Sequence, residues 1–121
     1  MAQSLFLAYR ESIINGHKAF MDERSIPEQA NRDPDSWELL RVWVAEQGLH
    51  CSMKVGVYED HGPLPEDTVW GIVLADAARH LADALASMGL RDRNAALEEI
   101  KRSFSTELDN PTSDTSGDFT D

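Results

Sequence analysis

The chain has 121 residues, a hydrophobic fraction of 41% and a net charge of −11, which suits one domain with a modest core. The acidic balance, with no compensating basic stripe, excludes nucleic acid and anionic membrane as expected partners. Its single cysteine, Cys51, excludes an internal disulfide. No apolar run approaches the roughly 18 to 20 residues of a membrane span, and the N-terminal residues lack the basic start of a signal peptide. We therefore expect a cytoplasmic protein.

Apolar residues near the N-terminus recur at spacings of three and four, which predicts a helix over residues 3 to 23. The residues on this stripe are Leu5, Tyr9, Ile13, Gly16 and Phe20. Pro27 disfavours helical geometry in Ile26, so the helix must end there. Residues 25 to 36 contain two prolines and no periodicity, and they are predicted to form a polar linker.

Residues 37 to 57 carry the strand signal of the chain and predict one β-hairpin. In the preferred register, Gln47-Gly48 is a two-residue turn in which the glycine supplies a positive φ. Val44 then lies opposite Cys51, and Val42 lies opposite Met53. A three-residue loop, Glu46–Gly48, is the alternative, and it would place Val42 opposite Ser52.

The preferred register gives the hairpin one apolar face and one mixed face. The apolar face carries Leu40, Val42, Val44, Cys51, Met53 and Val55, and the mixed face carries Arg41, Trp43, Ala45, His50, Ser52 and Lys54. On the apolar face Cys51 is expected to be a small buried hydrophobe. Two strands alone rarely form a stable sheet in water, so a helix should cover this face.

A long helix is predicted to begin at Pro65, Glu66 and Asp67, after a loop rich in Gly, Pro and acidic residues. Its apolar stripe consists of Trp70, Val73, Leu74, Ala77, Leu81, Ala84, Leu85 and Met88. Gly89 ends this helix, and Asp92 caps a further helix that runs to Leu108. The Ser, Thr and Asp of the last segment predict disorder.

The sequence therefore predicts an α+β fold: an N-terminal helix, an antiparallel hairpin packed on the long helix, and a C-terminal helix. Residues 1–108 are expected to form a single domain, and residues 109–121 a disordered acidic tail. The hairpin has unpaired edges, and two-fold pairing of two hairpins would extend the sheet by dimerisation.

The mixed face of the hairpin is the predicted interaction surface, formed by Trp43, Arg41, His50 and Lys54. An exposed tryptophan indicates a contact surface, so we expect a homodimer that acts as a protein-interaction or regulatory module. A tryptophan beside two basic groups is also suited to a small anion. Mimicry of DNA charge by an antitoxin ranks last, because the acidic residues are scattered.

The alternative function is a small-molecule or metal-dependent enzyme. Asp76 and His80 are four residues apart on the long helix, so their side chains can meet for proton transfer or provide two metal ligands. His50 is a weaker candidate for the same site. A surface salt-bridge ladder on this helix, in which Arg79 also pairs with Asp83, is favoured over proton transfer and over metal binding. No fixed spacing supplies a third ligand, so neither metal nor cofactor is predicted.

The chain resembles a small family of uncharacterised alphaproteobacterial proteins classed as a domain of unknown function. The resemblance spans roughly residues 36 to 88. It rests on Glu38 to Trp43, on Gly48-Leu49-His50, and on Trp70 to Asp76 with Arg79 and His80. It implies a bacterial cytoplasmic setting and supplies no activity, substrate or cofactor.

Overall fold

The computed structural model describes residues 22–112 and 115–119. The elements are α1 (Glu28–Arg32), β1 (Leu40–Ala45), β2 (Gly48–Met53), α2 (Val57–His61), α3 (Glu66–Ser87), α4 (Arg93–Asp109) and β3 (Thr115–Asp118). These helices and a three-stranded sheet confirm the predicted α+β class. Residues 3–21 of the predicted N-terminal helix lie outside the described residues.

The chain forms two compact units, one of Met1–Val55 with Thr112–Asp121 and one of Gly56–Pro111. The first contains the sheet, and the second contains α2, α3 and α4. The prediction of a single domain over residues 1–108 stays a prediction, as does the packing of the hairpin on the long helix.

The hairpin adopts neither of the two predicted registers. Val42 pairs with Cys51 and Val44 with Leu49, so the two-residue turn is Glu46-Gln47. Both turn residues have positive φ, 47° and 68°, which side chains other than glycine rarely adopt. Gly48, to which the sequence assigns the turn, is instead the first residue of β2.

The predicted composition of the two hairpin faces is nevertheless correct. The observed register differs from the preferred one by two residues, and side chains alternate between faces with a period of two. Val42 and Val44 therefore share one face with Cys51, as predicted. Trp43 and His50 share the other.

A third strand lies in the segment for which the sequence predicts disorder. β3 pairs with β2 in parallel, with Thr115 opposite Leu49 and Gly117 opposite Cys51, and the strand order is β1-β2-β3. Its sequence, TSGD, contains no large apolar side chain that could have predicted a strand. The order of this strand comes from backbone pairing to the edge of β2.

In the second unit, α3 and α4 pack together across a short connection. Gly89 (φ 71°) follows the end of α3 as predicted, and the side chain of Asp92 accepts a 3.0 Å hydrogen bond from the amide of Ala95 at the start of α4. Over the described ranges, the buried residues are Ala82, which is 0% exposed, and Ala96, which is 4% exposed. Small side chains at these positions let the two helix axes approach closely.

Two five-residue helices lie where the sequence predicts loops. Helix α1 interrupts the predicted linker of residues 25 to 36, and α2 interrupts the loop before the long helix. Neither is long enough to show an apolar stripe. Helix α2 depends on a distant group, because Glu66 accepts hydrogen bonds from the amides of Gly56 (2.9 Å), Tyr58 (2.8 Å) and Glu59 (3.0 Å).

Candidate interaction surface

The mixed face of the sheet brings the predicted interaction residues together. Trp43 lies opposite His50 on the neighbouring strand, and Arg41 lies opposite Ser52. Lys54 continues the same face, because its amide donates a 2.9 Å hydrogen bond to the carbonyl oxygen of Leu39. Trp43 is half-buried. The register therefore places an indole, an imidazole and two cations on one side of the sheet.

Arg41 is held on this face by two carboxylates. Its Nε lies 3.1 Å from Glu38 Oε1, and its Nη2 lies 3.2 Å from Glu38 Oε2, while its Nη1 pairs with Glu23. The hydrogen bonds to Glu38, and then to Glu23, raise the pKa of the guanidinium. The cation is thus fixed in direction, and its charge is neutralised locally.

Both ring nitrogens of His50 have oxygen partners. Nε2 lies 3.0 Å from the carbonyl oxygen of Ala45, and Nδ1 lies 2.9 Å from the hydroxyl of Ser116 on β3. A carbonyl oxygen accepts but cannot donate, so Nε2 carries the proton in the neutral ring. The Ser116 hydroxyl then donates to Nδ1. His50 consequently links the turn end of β1 to the third strand.

The outer edge of β1 presents backbone groups that no described strand pairs with. The bond between Lys54 and Leu39 fixes which residue pairs of the hairpin exchange hydrogen bonds, because these pairs alternate along an antiparallel ladder. The amides and carbonyls of Leu40, Val42 and Val44 therefore point away from β2. The side chains of Val42 and Val44 are 50% and 52% exposed.

The outer edge of β2 is the second edge of the hairpin, and β3 occupies it. By the same alternation, the backbone groups of Leu49 and Cys51 point toward β3. A shallow depression lies at the turn end of this edge. It is lined by Glu46, Gln47, Gly48, Leu49, His50, Thr115 and Ser116.

Asp76 and His80, the candidates for catalysis, both lie on α3, and their role stays a prediction. Asp76 forms an ion pair with Arg79, three residues further along α3. Asp83 pairs with Arg93 at the start of α4 and not with Arg79. Within residues 22–112 and 115–119, no three His, Cys, Asp or Glu side chains are grouped so that they could hold a metal ion.

Two features of this surface are absent from the sequence predictions. Ser116 becomes a partner of His50 only through a strand that has no sequence signal. The exposed fractions of Val42 and Val44, 50% and 52%, are likewise not predicted by the sequence. Which backbone groups point outward from β1 follows from the hairpin register. The sequence predicts a different register, because it places Gly48 in the turn.

The fold and this surface define a small α+β protein with an open sheet edge among its described strands. Comparison with known protein families identifies the family of the chain. The chain belongs to the family described as Domain of unknown function (DUF5076), whose model matches residues 23–112. The resemblance to a domain of unknown function is thereby confirmed over a longer range than the sequence motifs indicate.

A solved structure with a similar fold is among those that match the chain. It is described as a putative pyruvate dehydrogenase from the photosynthetic bacterium Rhodopseudomonas palustrus CGA009, and it is 27% identical with a TM-score of 0.59. The alignment covers 80% of this chain and 93% of that one. A search of curated proteins finds no match. None of the helices within the described ranges is long and apolar enough to cross a membrane.

Proposed function

We propose that the protein is a cytoplasmic homodimer that acts as a protein-interaction or regulatory module, and that its two copies pair along β1. The observation that carries this proposal is the outer edge of β1, where the backbone groups of Leu40, Val42 and Val44 point outward beside half-exposed valines. An unpaired strand edge is a template for a further strand. A two-fold axis is the commonest symmetry that joins identical edges.

The alternation of backbone groups selects a register for the dimer. Outward-facing residues must lie opposite one another to exchange hydrogen bonds, and antiparallel pairing around Val42 satisfies this over the greatest length. Val42 then lies opposite Val42 of the second copy, and Leu40 lies opposite its Val44. The half-exposed side chains would form one apolar ladder across the two-fold axis.

The same register gives the mixed face a role at the contact. Arg41 would lie opposite Trp43 of the second copy, and the reciprocal pair would form on the other side of the axis. A guanidinium can stack on an indole while its edges keep hydrogen bonds to carboxylates. The bonds to Glu38 and Glu23 already fix the plane of Arg41.

Charge should oppose this association at long range. Each copy carries a net charge of −11, so two copies repel one another, and salt screens that repulsion. Contact through one strand per copy also buries less area than a standard interface. We therefore expect a dimer that forms at micromolar concentrations and strengthens with added salt.

The test compares two matched substitutions by light scattering during size exclusion. Val42 and Val55 are 50% and 49% exposed, so Val42→Lys and Val55→Lys make the same chemical change at similar exposure. Only the first places two like charges face to face at the proposed axis. Wild type and Val55→Lys should have about twice the 13.5 kDa chain mass, and Val42→Lys should have the mass of one chain.

Either of two results would overturn the proposal. One is that wild type has the mass of a single chain at concentrations up to about 100 µM. A dimer with a micromolar dissociation constant would be largely formed at that concentration. The other is a dimeric mass for Val42→Lys. Circular dichroism of both variants checks that the sheet remains folded.

A further inference from the structure

We propose that the outer edge of β2 is a docking site for an extended segment of another protein, and that the chain's own residues Thr115–Asp118 occupy this site as a competitor. The segment would add to the sheet as a strand, as peptides do in β-augmentation. The site lies on the edge of the hairpin opposite to the proposed dimer contact. It therefore does not rest on the dimer.

The first support is that β3 is a weakly held strand. It has four residues, all of them exposed. Gly117 and Asp118 belong to residue types that are depleted in strands. None of the four side chains is a large apolar group that could anchor the strand, so backbone pairing to Leu49 and Cys51 provides most of its attachment. Such a strand can be displaced by one with better side-chain contacts.

The second support is that the edge of β2 recognises specific features of its occupant. His50 Nδ1 lies 2.9 Å from the hydroxyl of Ser116, so a hydroxyl at this position is recognised. Gly117 has a φ of 135°, and a Cβ atom placed there would collide with the backbone of Cys51. The site therefore favours a small hydroxyl residue followed by glycine.

The chemistry of the expected partner follows from these two positions. It is an extended segment with Ser or Thr opposite His50 and Gly opposite Cys51. A larger apolar residue opposite Leu49, such as isoleucine or an aromatic residue, where this chain has the smaller and more polar Thr115, would strengthen the pairing. The shallow depression beside Leu49 and His50 leaves space for such a side chain. A segment of this kind would outcompete TSGD.

The test uses the full chain and a dye-labelled peptide of residues 112–119, TSDTSGDF. Gly117→Ala should expel the chain's own strand and leave the site open. Gly71→Ala is the matched control, because a Cβ atom there meets nothing within 4 Å. The Gly117→Ala chain should bind the peptide about tenfold more tightly than wild type or the control. This gain is expected if β3 occupies the site about 90% of the time in wild type, because only the remaining tenth of the molecules can then bind the peptide.

A second readout reports on the edge itself. The amides of Leu49 and Cys51 face β3, so their hydrogen exchange should accelerate in Gly117→Ala and slow again when the peptide is added. A peptide with alanine in place of its glycine should not bind. Equal binding to all three chains, or no binding to Gly117→Ala, would overturn the proposal, and so would unchanged exchange at Leu49 and Cys51.

Discussion

Glu59 and Glu66 cap each other's helices. The carboxylate of Glu66, at the start of α3, accepts hydrogen bonds from the amides at the start of α2. The carboxylate of Glu59, in α2, accepts a 3.1 Å hydrogen bond from the amide of Glu66. Glu66 also accepts a 2.8 Å bond from the indole of Trp70. Each helix thus satisfies free amides of the other, which its own backbone cannot do.

Glu66→Gln should lower the melting temperature by several degrees, because an amide group replaces an oxygen that accepts two hydrogen bonds. The bonds from Gly56, and then from Trp70 and Tyr58, hold the pKa of Glu66 below its ordinary value of 4.5. The stabilisation by its charge is therefore present above pH 4.5 and lost as the pH falls through the folded pKa.

Thermal melts of wild type and Glu66→Gln between pH 3 and pH 7, about the range in which glutamate titrates, test this dependence. The stability difference should be constant near neutral pH and shrink in acid. Asp67→Asn is the control, since Asp67 lies at the same helix start and, among the described residues, accepts a hydrogen bond from the adjacent Thr68 amide alone. A difference that does not change with pH would refute the role of the Glu66 charge.

Asp92→Ala should reduce the free energy of unfolding by about 1 kcal/mol, the usual cost of losing an N-cap. The side chain of Asp92 accepts a hydrogen bond from the amide of Ala95 at the start of α4. Urea unfolding measures the loss. Asp92→Asn retains an acceptor and should lose much less, and equal losses for the two variants would contradict a capping role.

Ala82→Leu should cost about 1 to 3 kcal/mol, because the added carbons overpack the contact between α3 and α4. Ala82 is 0% exposed and is the buried residue of α3. Ala84→Leu makes the same change at an exposed position of α3 and should be nearly neutral. Denaturant unfolding of the pair tests the prediction, which fails if the two variants are equally stable.

Gln47→Gly should stabilise the protein by up to about 1 kcal/mol, since a left-handed backbone strains every residue except glycine. Gln47 has a φ of 68° in the hairpin turn. Gln47→Ala keeps that strain and serves as the control. A register with Gly48 in the turn would instead leave Gln47→Gly without benefit in the thermal melt.

The sequence predicts the parts of this molecule that local patterns encode. The long helix begins at Glu66 and is followed by Gly89 in a left-handed conformation, and Asp92 caps α4, as expected from their residue types. The faces of the hairpin are also correct, because side-chain alternation survives a shift of two residues.

The remaining features depend on contacts that are distant in sequence. Helix α2 exists beside a carboxylate seven to ten residues away, and β3 is ordered by an edge 66 residues away. Neither partner can be read from the segment it orders. The two-residue turn also places its positive φ on Glu46 and Gln47, one position before the glycine that usually provides it.

Disulfide cross-linking through Val42→Cys, in a Cys51→Ala background, tests the central claim most directly. Pairing of two β1 edges around Val42 brings this residue of both copies to about 5.5 Å between Cα atoms, within the range that a disulfide spans. Oxidation at micromolar protein should produce a covalent species of twice the 13.5 kDa chain mass. The matched Val55→Cys chain should stay uncross-linked. A Val42→Cys chain that remains a single chain under oxidation would contradict the account.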